Sequence, residues 1–496
     1  MLRRPSVLSS AWLRPLLLSL AAVGFAAVFC THLSPLYPAF YSLDAEYFLI
    51  AGRQILQGGV PYLDFFDIKG PVIYFLYALG MLIQNGRTGV FVLECAALAA
   101  SVWLLDATAR LWVPPRKANW MLLGCALILT VTMQGGGRTE DFNLPFILLA
   151  LYFFCRELKK PELTFPPRLC LLYGLCFGIV FHTRPTNAAV FAGIALYTLV
   201  ALLAKKQFAL LWKNIGYFLL GFLLVTAPFV IYFAANGALR EFLRGSLLLP
   251  YLYGATGSAG RGLGKWLTVA LSLTPAAAGL FLGLGSRKHE NRLGWPLAAA
   301  SAAVIVCFLP GLAWSHYYMM TIPVFLLAMV QIEQTVLPPH KCSVSSLWRA
   351  LVSLSLIGMA LFYFSDCNAN LRGLPGAFSR RGENAAYTEQ VRRQADLIPA
   401  EERDSVWGYG YLSSWFAINE ITPCFRIMST SWYFRELDPE ISAELDTFVL
   451  EVPPKWVLKK EGDKHPYPLL DELLASSYQL ILREGNIRLY QKISNP

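Results

Sequence analysis

Eleven apolar runs punctuate the chain, near residues 16–34, 89–113, 119–135, 143–156, 169–183, 187–204, 214–235, 264–285, 293–312, 317–336 and 347–365. A helix needs about 20 mainly apolar residues to cross a bilayer, and most of these runs approach that length. The pattern predicts a polytopic α-helical membrane protein with eleven spans. A further stretch, PVIYFLYALGMLIQ at 71–84, is apolar but short, opens on Pro71 and contains Gly80. Charge decides its placement. If it lies along the outer interface, the clusters Arg116/Lys117, Arg156/Lys159/Lys160/Arg168, Lys205/Lys206/Lys213, Arg287/Lys288/Arg292 and Lys341/Arg349 all fall on the cytoplasmic side. The positive-inside bias favours that threading. It expects a multi-pass protein of the plasma (inner) membrane, with a cytoplasmic N-terminus and an extracytoplasmic C-terminus. The basic start, MLRRPSVLSSAWLRP, then belongs to an uncleaved first helix.

The pattern changes after residue 365. Residues 366–496 are more polar and carry short strand-like runs, SVWGYG, TPCFRI, YQLILR and IRLYQK, with helical patterns near 384–397 and 468–477. This predicts a small extracytoplasmic α/β domain. The expected organisation is a transmembrane domain at 1–365, with a first external loop at 35–88, and a C-terminal domain at 366–496.

Composition sharpens this picture. The chain is 56% hydrophobic and only 15% charged. Its net charge of +10 sits in short loops between apolar runs, so it orients the protein and does not point to nucleic acid. The ten cysteines lack metal or redox spacing and read as packing residues; whether Cys367 and Cys424 pair is open at this level.

The same threading brings the unusual polar segments to the outer face: SLDAEYFLIAGRQILQGGVPYLDFFDIKGP at 42–71, GGGRTED at 135–141, HTRPTN at 182–187, the 236–263 loop and WSHYY at 314–318. Ionisable groups beside a bilayer are costly unless solvated, paired or functional. Asp44 opens a helical pattern, so it reads either as an N-cap or as a general base for an attacking hydroxyl. Asp67 and Lys69 read as a solvated ion pair, or as a lysine facing an anion with Asp67 orienting it. Arg138, Glu140 and Asp141 follow three glycines. Arg184 sits in a near loop-less turn and calls for either a phosphate or the Glu140 carboxylate. His316 and Tyr317 begin the tenth run, as interfacial hydrogen-bonding groups or as site residues. Glu94 lies near the outer end of the second run, and Asp106 lies four residues before Arg110, a spacing that supports a helix. No phosphate loop, HExxH or GxSxG motif occurs.

The Asp-x-Glu pair at 44–46, the AGRQILQGGVPYLDFFDIKGPVIYFLYALG segment, the Arg-Thr-Glu loop, the HTRPTN turn and the His-Tyr-Tyr helix start occur in an order that resembles bacterial GT-C class integral-membrane glycosyltransferases. The likeness is to the family 39 group of protein mannosyltransferases and the lipid A aminoarabinose transferase, and it covers residues 10–365. It implies transfer of a hexosyl or pentosyl residue from a polyprenyl-phosphate donor to a glycan, lipid or protein acceptor. It also implies Asp44 as the catalytic acidic residue, Glu140 (or Asp141) as the second acidic position, and Lys69 and Arg184 as donor-phosphate ligands, with Arg138 beside them. Glu46 departs from the adjacent Asp-Glu pair of the family, and Lys69-Gly70-Pro71 stands where the family has Lys-Pro-Pro. Relatives differ in their need for a divalent metal, for which Asp44 and Glu140 are the candidate ligands; no other cofactor is expected. The rival reading is a transporter or flippase of a lipid-linked or anionic substrate.

Overall fold

The computed structural model describes residues 8–37, 43–256, 262–286, 292–335, 345–379, 381–428, 431–462 and 465–493. The basic positions Arg287, Lys288 and Lys341 lie outside them, as does part of the 236–263 loop. Within the described residues every apolar run is helical. Six helical stretches are long and apolar enough to cross a membrane: Trp12–Phe29, Arg87–Arg110, Pro185–Ala204, Phe208–Ala235, Ser315–Thr335 and Ser346–Leu374. Leu263–Ser272 and Thr274–Gly285 make a seventh if counted as one span bent by 56°. Pro275, at the start of the second piece, cannot continue the hydrogen-bond ladder of the first. The expected count of eleven is therefore not carried by length and composition. Pro167–Phe181 and Gly294–Phe308 are short, and Thr139–Leu158 is charged at both ends.

The described chain divides into two compact units that do not follow sequence order. The first comprises residues 1–34, 91–229 and 254–375. Its helices meet through small residues. A Cβ on Gly174 would lie 2.0 Å from the Phe218 carbonyl oxygen, and one on Gly221 would lie 2.2 Å from that of Leu171. The Pro167–Phe181 and Phe208–Ala235 helices thus touch backbone to backbone. Gly193 is similarly closed in by the backbone of Ala299 and Ala300. Lipid tails are as apolar as leucine, so such close packing takes over the role that hydrophobic burial plays in water.

The second unit comprises residues 35–90, 230–253 and 376–496, so the first predicted external loop groups with the C-terminal residues. The Leu43–Leu56 helix packs on the Pro71–Ile83 helix, where Gly52 leaves no room for a Cβ against the Ala78 backbone nitrogen. The latter helix has 13 residues, about 20 Å at 1.5 Å per residue, and falls short of a span. The C-terminal residues build a four-stranded sheet from β1 (Val406–Tyr409), β2 (Trp456–Lys460), β3 (Tyr478–Glu484) and β4 (Ile487–Lys492), in the order β1-β2-β4-β3. β1 and β2 are parallel; the other pairs are antiparallel. Trp407, Tyr409, Leu445, Phe448, Val457 and Tyr467 form its core.

Three of the four expected strands and both expected helices are present, the helices at Arg381–Asp396 and Pro468–Ser477. TPCFRI is not a strand. Its backbone bonds go elsewhere: Cys424 N–H donates to Val406, and the Arg426 carbonyl accepts from Phe66 N–H at 3.0 Å. WVLKK, not anticipated, fills the sheet as β2. Cys367 and Cys424 are both free thiols.

The glycine contact in the first unit is directly testable. Gly221→Leu should lower the thermal stability of the detergent-solubilised protein by about 1–3 kcal/mol through overpacking. Gly216→Leu, on the same helix with nothing within 4 Å of its Cβ position, should leave it near wild type.

Candidate active site

Each unit carries one cluster of the sequence-predicted residues. In the first, Met133 ends a helix and Gln134, Gly135, Gly136 and Gly137 all take left-handed backbone, with φ of 44°, 90°, 76° and 78°. Glycine is needed here for a second reason as well. A Cβ on Gly135 would lie 2.4 Å from the His32 ring, and one on Gly136 would lie 2.9 Å from Cys30 Sγ and 3.2 Å from Glu94 Oε1. The loop is pinned by His32 N–H donating to the Gly135 carbonyl at 3.0 Å and by Gly137 N–H donating to Glu94.

This tight loop delivers Arg138 as the N-cap of the Thr139–Leu158 helix. Asp141 closes a capping box, its Oδ2 accepting from Arg138 N–H at 2.9 Å. Asp141 is also in side-chain hydrogen-bonding range of Glu94. Glu140, 1% exposed, accepts through Oε1 from Arg184 Nη1 at 2.6 Å and through Oε2 from Thr139 Oγ1 at 2.9 Å. The Arg184 guanidinium stacks 3.5 Å from the centroid of the Tyr317 ring. It is delivered by the HTRPTN turn, where the Pro167–Phe181 helix ends and a short 3-10 turn at Pro185–Ala188 begins. His316 Nδ1 lies 2.9 Å from Gln134 Oε1, which ties the start of its helix to the glycine loop. Glu140, Arg184 and Tyr317 thus form one contact set. Of the two partners that sequence allowed Arg184, the Glu140 carboxylate is the one in place.

In the second unit, Asp44 is the second residue of the Leu43–Leu56 helix, and the cap position before Leu43 falls outside the described residues. Asp44 is half-buried, and with Glu46 it faces the positive end of that helix. Glu46 is fully buried; its Oε2 accepts from Ser414 Oγ at 2.6 Å and from Ser413 Oγ at 3.3 Å. The segment 60–70 folds around Tyr62, whose φ is 70°. The Tyr62 hydroxyl donates to the Lys69 carbonyl at 2.7 Å, Tyr74 donates to Asp67 Oδ2 at 3.1 Å, and Tyr47 donates to the Phe66 carbonyl at 2.6 Å. Burial raises the Asp67 carboxyl above the ordinary carboxylate value, and the Lys69 ammonium offsets part of that rise. Asp64, by contrast, closes a turn on Val60 N–H at 2.6 Å.

Arg244 is the buried cation that sequence reading missed. It meets Asp438 at 2.6 Å and Glu440 at 3.1 Å. Arg426 pairs with Glu444 and donates to the Tyr62 carbonyl at 2.7 Å. Arg244 lies in the 236–263 loop and Arg426 in TPCFRI, and what marks these two arginines is the carboxylates they meet. Asp106 is also more than a helix-support residue: besides Arg110 it meets Arg14 on the first helix, Arg14 Nε donating at 2.9 Å. Among the described residues, no group of three or more His, Cys, Asp or Glu side chains is arranged to hold a metal ion.

Breaking a buried ion pair from one side leaves a charge stranded, at a cost of about 3–5 kcal/mol, whereas removing both partners costs much less. Arg184→Met should therefore destabilise the protein strongly. The double variant Arg184→Met/Glu140→Leu should recover most of the loss, as read by thermal unfolding in detergent.

Residues 68–232 match the family model described as dolichyl-phosphate-mannose-protein mannosyltransferase. No curated protein matches the chain in sequence. The structure is similar to that of ArnT from Cupriavidus metallidurans bound to undecaprenyl phosphate, with a TM-score of 0.62, 13% identity and 98% of each chain covered. The apo form of the same protein gives 0.61 at 12% identity, covering 98% of this chain and 99% of that one. The apo oligosaccharyltransferase of Archaeoglobus fulgidus gives 0.50 at 12% identity, covering 89% of this chain and 69% of that one. The resemblance read from the sequence is borne out at the level of fold: this chain is a helical membrane protein with the GT-C fold.

Proposed function

We propose that this protein is a membrane glycosyltransferase that moves a sugar from a polyprenyl-phosphate donor to a hydroxyl of a cell-envelope acceptor on the extracytoplasmic face. The observation that carries this reading is the likeness, along 98% of both chains, to a protein solved with undecaprenyl phosphate. The mannosyltransferase match over residues 68–232 supports it.

Polyprenyl phosphate is already a good leaving group. Catalysis then requires a base for the acceptor hydroxyl and positive charge for the phosphate as it departs. Asp44, at the start of its helix, is the base. Lys69, in the same unit, supplies positive charge; for Arg138 and Arg184, in the other unit, that role is what the family resemblance implies, with Glu140 and Tyr317 holding Arg184. Asp67 orients Lys69. Asp141 fixes the turn that presents Arg138, and His316 braces that turn through Gln134. A single displacement inverts the anomeric centre.

The test uses the tritium-labelled lipid-linked sugar pool extracted from the producing cells. Asp44→Asn should lower transfer by about 100-fold or more while retention of the labelled lipid on the protein is unchanged. Wild-type turnover in that variant, or a product of retained configuration by NMR, would overturn the assignment. Comparing envelope glycans with and without the gene by mass spectrometry identifies the sugar.

A further inference from the structure

The fully buried Glu46 carboxylate shows how the Leu43–Leu56 helix is held. A buried carboxylate is tolerated only when hydrogen-bonded or paired. Here two hydroxyls from a segment more than 360 residues away converge on one oxygen, Ser414 at 2.6 Å and Ser413 at 3.3 Å. Both serines are themselves buried, at the start of the Ser413–Asn419 helix.

The contact does not stand alone. Seven and eight residues on, and so on the same helical face, Arg53 meets Glu420 at 3.8 Å and Gln54 Nε2 meets Met428 Sδ at 3.8 Å. The same segment continues along the loop after the helix, where Arg426 exchanges backbone and side-chain bonds with Phe66 and Tyr62. Residues 413–428 therefore run as a strap along 46–66. The opposite face of the helix packs on the Pro71–Ile83 helix, with Phe48 edge-on to Tyr77 at 5.4 Å. Residues two apart on an α-helix point about 200° apart at 3.6 residues per turn. Drawing Glu46 inward toward the serines thus sets the direction in which Asp44 points.

We propose that Ser414, acting through Glu46, is a positioning residue for Asp44, and that the C-terminal residues 413–428 are part of the catalytic apparatus. This rests on the reading of Asp44 as the base. The hydroxyl gives a charge-assisted hydrogen bond, one of the stronger classes. Losing it frees the first turn of the helix to rotate and fray without unfolding the sheet that carries the strap.

Two readouts test this in the full-length protein. With the labelled lipid-linked sugar pool, Ser414→Ala should lower kcat about tenfold with little change in KM, and Ser414→Thr, which keeps the hydroxyl, should restore it. Hydrogen exchange should quicken about tenfold at amides 45–50 in Ser414→Ala, while amides of β1 and β2 keep their protection. Glu46→Gln keeps an oxygen acceptor and serves as a milder variant should Ser414→Ala fail to fold; it should show the same two effects in reduced form. Unchanged exchange at 45–50 would overturn the proposal, as would loss of protection spread equally over the sheet. The exchange result does not depend on turnover. An active Asp44→Asn enzyme would remove the base assignment, while the exchange data would still decide whether Ser414 holds the helix.

Discussion

Glu140 sits in an apolar helical unit with 1% of its surface exposed, and Arg184 answers its charge at 2.6 Å. That neutralisation constrains much around it. The pair can form only if the Thr139–Leu158 helix begins where it does, which requires the left-handed glycine loop before it. It also requires the Pro167–Phe181 helix to stop at His182, so that Arg184 is released into a turn. Tyr317 then covers the guanidinium and excludes water from one face. In a low-dielectric setting an unpaired ionised group is expensive, so the geometry of four chain segments follows from one ion pair.

The second unit obeys the same rule with different partners. Glu46 accepts from two serine hydroxyls, while Arg244 and Arg426 meet carboxylates of the C-terminal residues. Hydroxyl ligation places the Glu46 carboxyl two positions from Asp44 in the same helical turn. Two carboxylates in one helical turn are mutually unfavourable, and the positive end of the helix reduces that cost. In the Asp-x-Glu spacing the intervening Ala45 turns the second carboxylate away from the first and into the protein.

Much of this was legible in the chain. The apolar runs mark every long helix because helical burial in lipid needs only sustained hydropathy. The three glycines before Arg138, the HTRPTN break and the His-Tyr-Tyr start mark the first cluster because glycine, proline and buried charge have few other uses at helix ends. What sequence leaves open is pairing. Nothing local distinguishes a phosphate from Glu140 as the partner of Arg184, or tells that Ser413 and Ser414 belong to Glu46. The count of eleven spans is not confirmed for a related reason: hydropathy alone does not tell a short buried helix from one that crosses. TPCFRI looks like a strand by composition, but its backbone donors and acceptors are claimed by distant segments.

The strap has a bearing on biogenesis. Glu46 emerges from the ribosome long before Ser414, separated from it by 368 positions. Until the last quarter of the polypeptide is made and delivered to the same compartment, the acidic helix has no lock. A chain that stops short of residue 413 therefore lacks the hydroxyls that hold Glu46. The order of synthesis thus makes this contact one of the last that the second unit can form.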